Sequence, residues 1–221
     1  LLSCVALTMF VRQSNAQTTS KPKILSAVPV TQLDASKIQT WMLPPLRIKG
    51  KPSKAHTQGL LVHQNGFFVT ARRDDIKPRR ALLLWLRCNP SNQKENCNES
   101  KRNWTKIWDI TPTSKPANWS GMLDHPGGFD SDGDNLWIPI SQSHRNGKTL
   151  VRKFSIRALI DKGDATPTES ITIKDHIGAI AVSRSSKRLF GANWDTLLAY
   201  ELPVDGKPIH HYERNSFIRN L

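Results

Sequence analysis

Residues 125–140, with the sequence HPGGFDSDGDNLWIPI, hold the pattern that decides the fold of this chain. A histidine precedes two glycines, a short stretch leads into Asp132-Gly133, and an apolar segment with a tryptophan follows from Leu136. Asp-Gly favours the positive φ angles of tight hairpins. This stretch therefore predicts two short antiparallel strands joined by a turn.

The same layout occurs at two other places in the chain. One copy opens with HTQGL at residues 56–60 and turns at Asn65-Gly66, and the other opens with HIGAI at residues 176–180 and turns near Ser185-Ser186. In every copy a histidine precedes a glycine by two or three residues at the start of the first strand. Each copy is therefore predicted to be one structural unit that begins with a β-hairpin.

Two further strands are predicted in each unit. The third strands fall at residues 81–87, 150–156 and 196–202, and the fourth strands at residues 105–110, 170–174 and 208–213. Helical periodicity is confined to residues 35–42 and 157–162. Four antiparallel strands per unit, at a period of roughly 45–70 residues, are typical of β-propeller blades. A β-sandwich is the alternative, but it leaves the recurring His-Gly pattern unexplained.

The predicted fold is therefore all-β, a β-propeller of four-stranded antiparallel blades. Propellers close with roughly 4–8 blades, and the 221 residues hold about three to four, so we expect a fragment or divergent end blades. The expected organisation is a partial signal peptide at residues 1–16, a polar lead-in at 17–35 and a partial propeller at 36–221. A Cys/Asn-rich insertion is expected at residues 89–118.

The N-terminal segment has the pattern of an export signal. Residues 1–11 are nearly continuously apolar, and the small residues Ser14 and Ala16 predict cleavage after Ala16. The alternatives are a lipoprotein signal in which Cys4 carries the lipid, or an ordinary buried strand or helix. We expect a secreted or periplasmic protein, because the residues after Ala16 are polar and typical of an exposed start to a mature chain.

Export to an oxidising compartment would also decide the state of two cysteines. Cys88 and Cys97 flank a polar loop and are expected to form a disulfide there. Two free thiols are the alternative.

The charge limits the classes of partner. There are 32 Lys and Arg against 18 Asp and Glu, which gives a formal net charge of +14. These cations are scattered through loops, and the aromatic residues occupy strand positions, so the pattern does not indicate a nucleic-acid site. No apolar run is long enough to cross a bilayer. We expect a monomer that binds a small-molecule or anionic extracellular ligand, the alternative being a basic surface without a specific partner.

The histidines at the starts of the units are the candidate chemistry. In a propeller the first strand of each blade lines the central channel, so His56, His125 and His176 would converge at its mouth. Three neutral imidazoles can bind a divalent metal and leave a position open for water, as a Lewis-acid site requires. In the alternative, each histidine bonds a neighbouring carbonyl and locks the blades together. Gln58 lies on the face of His56 and is a candidate ligand-binding amide.

Two polar residues after the second strand of the third unit complete the predicted site. Asn193 and Asp195 flank a tryptophan and are candidate residues of a ligand rim, although solvated turns are the alternative. The glycines that follow the histidines are expected to let the backbone approach closely or turn.

Four motifs in order resemble a family of secreted bacterial β-propeller proteins whose activity is unassigned. They are His56-Thr57-Gln58-Gly59-Leu60, His125-Pro126-Gly127-Gly128, Asp175-His176-Ile177-Gly178 and Ala192-Asn193-Trp194-Asp195. The likeness covers about residues 55–202 and implies a propeller of six blades, but no reaction. The chain departs from that family in the insertion at residues 89–118 and in its end soon after the third unit.

A second, weaker resemblance rests on Thr-Gln-Gly-Leu alone and is to the propeller-type glutaminyl cyclases. Lactonase-like propellers, which hold a metal in the channel, are similar only at the level of the fold, and a fold does not define a function. We therefore expect a secreted β-propeller protein that binds a ligand at the channel mouth. The alternative is a metal-dependent hydrolase, lactonase or glutaminyl cyclotransferase that uses the channel histidines.

Overall fold

The computed structural model describes residues 43–64, 66–88, 103–183, 188–195 and 198–202, together with the backbone of residues 210–213. The chain divides into two units, residues 1–40 and residues 41–221, and all described residues belong to the second. The signal peptide, the lead-in, the helix at residues 35–42 and Cys97 therefore lie outside the described residues. The described residues of the insertion begin at Asn103.

The first sheet follows a short ribbon made by β1 (Arg47–Ile48) and β2 (Lys51–Pro52). Its strands are β3 (Ala55–His63), β4 (Gly66–Arg73), β5 (Arg80–Arg87) and β6 (Lys106–Asp109). They pair antiparallel in the order β3-β4-β5-β6. This is the order predicted for the first unit.

The second sheet contains five strands. They are β7 (Leu123–Pro126), β8 (Asp130–Ser131), β9 (Asn135–Gln142), β10 (Thr149–Ser155) and β11 (Glu169–Ile173). The order is β11-β10-β9-β7, and β8 also pairs with β9. The single first strand expected here is thus two strands, because the backbone of Gly128 leaves the ladder and bonds to the third sheet. The helical segment predicted at residues 157–162 is a π-helical turn at Ala158–Lys162.

The third sheet is again antiparallel and four-stranded. Its strands are β12 (Ile177–Ser183), β13 (Arg188–Asn193), β14 (Leu198–Leu202) and β15 (His210–Glu213), paired in chain order. The prediction of antiparallel units with four strands in sequence order is therefore confirmed for the first and third sheets, and the second sheet differs by its additional strand β8. The propeller itself is a finer statement and stays a prediction here.

The three sheets pack face to face. Residues of β9 alternate between two clusters, because successive strand residues point to opposite faces. Leu136 and Ile138 join a core with Phe68 and Leu83 of the first sheet. Trp137 joins a second core with residues of the third sheet. The second sheet is therefore buried on both faces, which explains the nearly continuous apolar sequence of β9.

The other face of the first sheet is covered by the ribbon segment. Leu43, Leu46 and Ile48 pack on a cluster that contains Val69 and Leu84. A groove of about 270 Å³ lies between that segment and the sheet. No helix among the described residues has the length and apolarity needed to cross a membrane.

Candidate functional site

The glycines of the repeated motifs lie where the first strands of consecutive sheets touch. A β-carbon on Gly59 would stand 3.0 Å from the Cα of Gly128, and one on Gly127 would stand 2.4 Å from the carbonyl oxygen of Gly178. These are backbone atoms that cannot move aside, so the predicted role in close approach is confirmed for Gly59 and Gly127. At Gly178 the nearest atom would be 3.8 Å away, which an alanine could accept.

Each of the three sheets has an irregularity in its first strand near the histidine. The pairing register shifts between Thr57 and Gly59, between Leu123 and His125, and between Ile177 and Ala179. A bulge re-aims the neighbouring side chains and is common beside functional sites. Gln58 falls at the first of these shifts and is half-buried.

The structure brings two of the three predicted histidines into contact. The rings of His125 and His176 lie 5.2 Å apart at an interplanar angle of 88°. Trp194 contacts both, with ring centroids 5.6 Å from His125 and 4.5 Å from His176. Trp194 is 44% exposed, so the group of three rings opens to solvent on the tryptophan side.

His176 is fixed by its surroundings. It is buried, and its Nδ1 lies 3.1 Å from the carbonyl oxygen of His144. A carbonyl can only accept, so Nδ1 carries the proton and donates it. Burial lowers the pKa of His176, while the carbonyls of His144 and Gln142 oppose that shift. The neutral ring therefore keeps an unprotonated Nε2.

His125 lacks the partner that His176 has. Its Nδ1 is buried, and no described residue forms a hydrogen bond with it. Burial, followed by the charges of His176 and Arg72, lowers the pKa of His125 to about 4, with Asp124 opposing and His56 adding to the decrease. At neutral pH His125 is therefore an uncharged imidazole, with the Arg72 guanidinium and the Asp124 carboxylate near it.

A polar chain connects the first and second sheets beside this pair. Arg72, at the end of β4, donates from Nε to Asp74 at 2.7 Å and from Nη1 to the Ser143 hydroxyl at 3.5 Å. Ser143 donates to Asp124 Oδ1 at 2.6 Å. His56 is opposite Arg72 in the strand register and is exposed. The three predicted histidines thus belong to one edge, although His56 stands apart from the ring contacts.

Asn193 and Asp195 have structural contacts in the same region. Asn193 donates from Nδ2 to Asp175 at 3.2 Å and accepts from the Leu198 amide at 3.1 Å. Tyr200 donates to the same carboxylate at 2.7 Å. Burial, with the Asp175 carboxylate adding to it, raises the pKa of Tyr200. Asn193 therefore holds the connection between β13 and β14.

Asp195 lies at the surface and pairs with Arg145, whose Nη2 is 2.7 Å from its carboxylate. The site also contains Arg72, Ser143 and Trp194. Each lies at or just after the end of the second strand of its unit, the position at which the sequence predicts either a ligand rim or solvated turns.

A metal at His56, His125 and His176 remains a prediction. Within the described ranges, which include all three, no group of three or more His, Cys, Asp or Glu side chains could hold a metal ion. The disulfide between Cys88 and Cys97 also stays a prediction. Cys88 is buried just after β5, and Cys97 lies outside the described residues.

The fold and the site define a protein of stacked antiparallel sheets with a histidine-lined edge. The model of a family of unknown function, DUF6454, matches residues 107–210, just under half of the 221 residues. That span includes the second sheet and most of the third, with His125, His176 and Trp194, and it excludes His56 and Arg72. No curated protein matches the chain.

Proposed function

We propose that this chain is a secreted β-propeller protein that binds a small carboxylate-bearing ligand at the edge where its sheets begin. The observation that carries the proposal is the buried Nδ1 of His125, which has no partner among the described residues. Buried polar atoms in native proteins almost always have a partner. A ligand atom is the partner that this edge is suited to receive.

The propeller is supported by the repetition of both strands and contacts. Three antiparallel sheets follow each other in chain order, and a histidine lies in or directly before the first strand of each. Consecutive sheets share a core, and their first strands touch through Gly59, Gly127 and Gly128. In a propeller these first strands line the central channel, so the histidine edge would be the channel mouth.

The charge at the edge selects the class of ligand. His176, Arg72 and His56 all lower the pKa of His125, and Asp124 is the one carboxylate that opposes them. Burial is the largest cause of this decrease, and of the groups that add to it Arg72 carries its charge at neutral pH, so its guanidinium is the group that attracts an anion here. The formal net charge of +14 acts in the same direction over a longer range.

The geometry also supplies donors for a carboxylate. Neutral His125 can carry its one ring proton on Nδ1 and donate a hydrogen bond from that nitrogen. Arg72 has a planar guanidinium that suits carboxylate oxygens, and Ser143 and Asp74 fix its orientation. The half-exposed ring of Trp194 offers apolar surface to the rest of the ligand.

The test is a titration of the protein with acetate, followed by NMR of the histidine side chains, with chloride at matched ionic strength as the reference. We expect saturable shifts of the His125 and His176 signals that chloride does not reproduce. Arg72→Gln should weaken acetate binding by about tenfold, because it removes a charge-assisted contact. Arg157→Gln is the matched control, since Arg157 is 90% exposed and pairs with Asp161 on the π-helical turn.

Two results would count against the proposal. One is a set of shifts that chloride reproduces in full, and the other is equal weakening by Arg72→Gln and Arg157→Gln. Secretion has a separate test. The mature protein from an exporting host should begin at Gln17 by mass spectrometry, and a retained N-terminal segment would contradict export by this signal.

A further inference from the structure

Besides His125 Nδ1, a second buried nitrogen atom without a hydrogen bond to any described residue is the Nε of Arg152, which lies away from the ring contacts. Arg152 stands in the middle of β10, between Leu150 and Phe154, which point to the same face of the sheet and belong to the core with the first sheet. Arg152 is 9% exposed, yet its Nε is fully buried and forms no hydrogen bond with any described residue.

The acidic groups near this strand have other partners. Glu169 pairs with Lys153, whose ammonium lies over Trp137 and so on the opposite face of the sheet. Asp161 pairs with Arg157 on the π-helical turn. Asp164 accepts from the backbone amide of Thr166. Among the described residues, no ion pair is formed by Arg152.

A guanidinium in this position is costly without a counter-charge. Removing an ion from water is unfavourable unless a partner and hydrogen bonds replace the lost hydration. Burial lowers the pKa of Arg152, as expected for a desolvated cation. Arginine does not lose its proton in proteins, so it cannot escape the cost by becoming neutral. Nη1 and Nη2 are not buried and unbonded in the way Nε is, so an anion that approaches from solvent can reach the guanidinium and be held by it.

We propose that the surface where Arg152 of β10 and Ser170 of β11 lie side by side, called the slot below, binds an oxyanion through Arg152. Ser170 is opposite Arg152 in the strand register and is exposed, so this surface meets solvent. Directly opposed residues have β-carbons about 4.5–5.5 Å apart, so the Ser170 hydroxyl is within reach of an anion held by the guanidinium.

The donors at this surface suit a carboxylate or a phosphate group. The Arg152 guanidinium can donate two parallel hydrogen bonds to such an anion, and the Ser170 hydroxyl can donate another.

The slot is distinct from the histidine edge. Thr149, which bonds the backbone of Asp175 beside His176, is three residues before Arg152 on β10. Three strand residues correspond to about 10 Å. The inference rests on Arg152 alone and does not need the histidine ligand, so the two proposals can fail separately.

The experiment is thermal unfolding and calorimetric titration of the full chain with inorganic phosphate and with acetate, against chloride at matched ionic strength. We expect a saturable rise in Tm with at least one oxyanion. Arg152→Met should weaken that binding by at least about tenfold, and Arg152→Lys should weaken it less. The control Arg157→Met should bind like the parent chain, so a loss in Arg152→Met alone assigns the binding to this slot and not to the histidine edge.

The chloride baseline gives an independent readout. Methionine fills much of the volume of arginine without its charge, so Arg152→Met should unfold in chloride at the parent Tm or above it. A large fall in Tm would show that Arg152 neutralises a carboxylate of the chain itself and would overturn the proposal. An absence of any oxyanion-specific rise in the parent chain, or equal affinities of the parent and Arg152→Lys and Arg152→Met, would overturn it too.

Discussion

The two interfaces of the second sheet are held together in different ways. The interface with the first sheet is a large apolar core with tryptophan and phenylalanine rings, and Thr70 adds one buried hydrogen bond to the carbonyl of Gly127. The interface with the third sheet has fewer buried apolar residues and more hydrogen bonds between sheets. Ser141 donates to the Ile177 carbonyl, and Thr149 donates to the Asp175 carbonyl.

The difference shows where a site can be built. Apolar packing has no direction, whereas hydrogen bonds fix the position of the backbone that they join. The ring contacts of His125, His176 and Trp194 lie at the polar interface, next to Asp175 and Thr149. The apolar interface supplies stability, and the polar interface positions the site.

The largest expected effect is at the apolar interface. Phe154→Ala removes a fully buried ring from the core between the first and second sheets and should lower the free energy of unfolding by about 3–5 kcal/mol. Chemical denaturation measures this. Leu60→Ala is the control, because Leu60 is 53% exposed and should change stability by under about 1 kcal/mol. Equal effects of the two substitutions would show that this core does not hold the sheets together.

A second prediction tests the contact between first strands. Gly127→Ala places a methyl group 2.4 Å from the backbone oxygen of Gly178 and should cost about 1–3 kcal/mol or more. Gly178→Ala is the matched control, because its nearest neighbour would be 3.8 Å away. Thermal and chemical unfolding should show a loss for Gly127→Ala alone. A larger loss for Gly178→Ala would contradict the strand contact described here.

The hydrogen-bonded interface between the second and third sheets should lose stability when a hydroxyl is removed from it. Thr149→Val keeps the shape of the side chain but leaves the Ile177 amide without its acceptor, at a cost of about 1–3 kcal/mol. Thr172→Val, at an exposed position of β11, is the comparison and should be nearly neutral or slightly stabilising. If both variants unfold alike, the hydrogen bonds of this interface contribute little.

The last expected effect is a change of stability with pH. The pKa of His125 is about 4 in the folded protein against 6.5 in the unfolded chain, and that of His176 is lowered as well. The unfolded state then binds more protons than the folded state. The free energy of unfolding therefore has its full value above pH 6.5 and falls as the pH decreases towards about 4. The pKa of Asp75 is lowered to about 2 by the hydrogen bond from Arg73, so the contribution of Asp75 to stability changes only below pH 3.8.

Thermal unfolding between pH 4 and 7 checks this pH dependence. His125→Phe should flatten the decrease in that range, whereas Leu60→Ala, at an exposed position without a titratable group, should keep the slope of the parent chain. An unchanged slope in His125→Phe would contradict the lowered pKa of His125.

Much of the fold could be predicted from the sequence because its signals are local. Asp132-Gly133 marks a hairpin, and the apolar runs that follow mark strands, so the order of strands in all three sheets was accessible. The split of the first strand into β7 and β8 was not, because it depends on bonds between Gly128 and another sheet. Such contacts have no signature in the local pattern.

The candidate site was predictable only in part. The recurring His-Gly pattern identified His125 and His176, which do meet. Ring contacts with Trp194, the bond from Arg72 to Ser143 and the engagement of Asn193 with Asp175 depend on how separate sheets pack. The role proposed for Arg152 could not be predicted for the same reason, since an arginine within a strand is not unusual until its burial is known.

The most direct test of the account is the pKa of His125, measured by NMR in the free protein and with saturating acetate. We expect a value near 4 without acetate, because burial and cationic neighbours disfavour the charged ring. A carboxylate beside the ring favours the charged form, so acetate should raise the pKa. A value near 6.5 in both conditions would contradict both the geometry of the site and the class of ligand proposed for it.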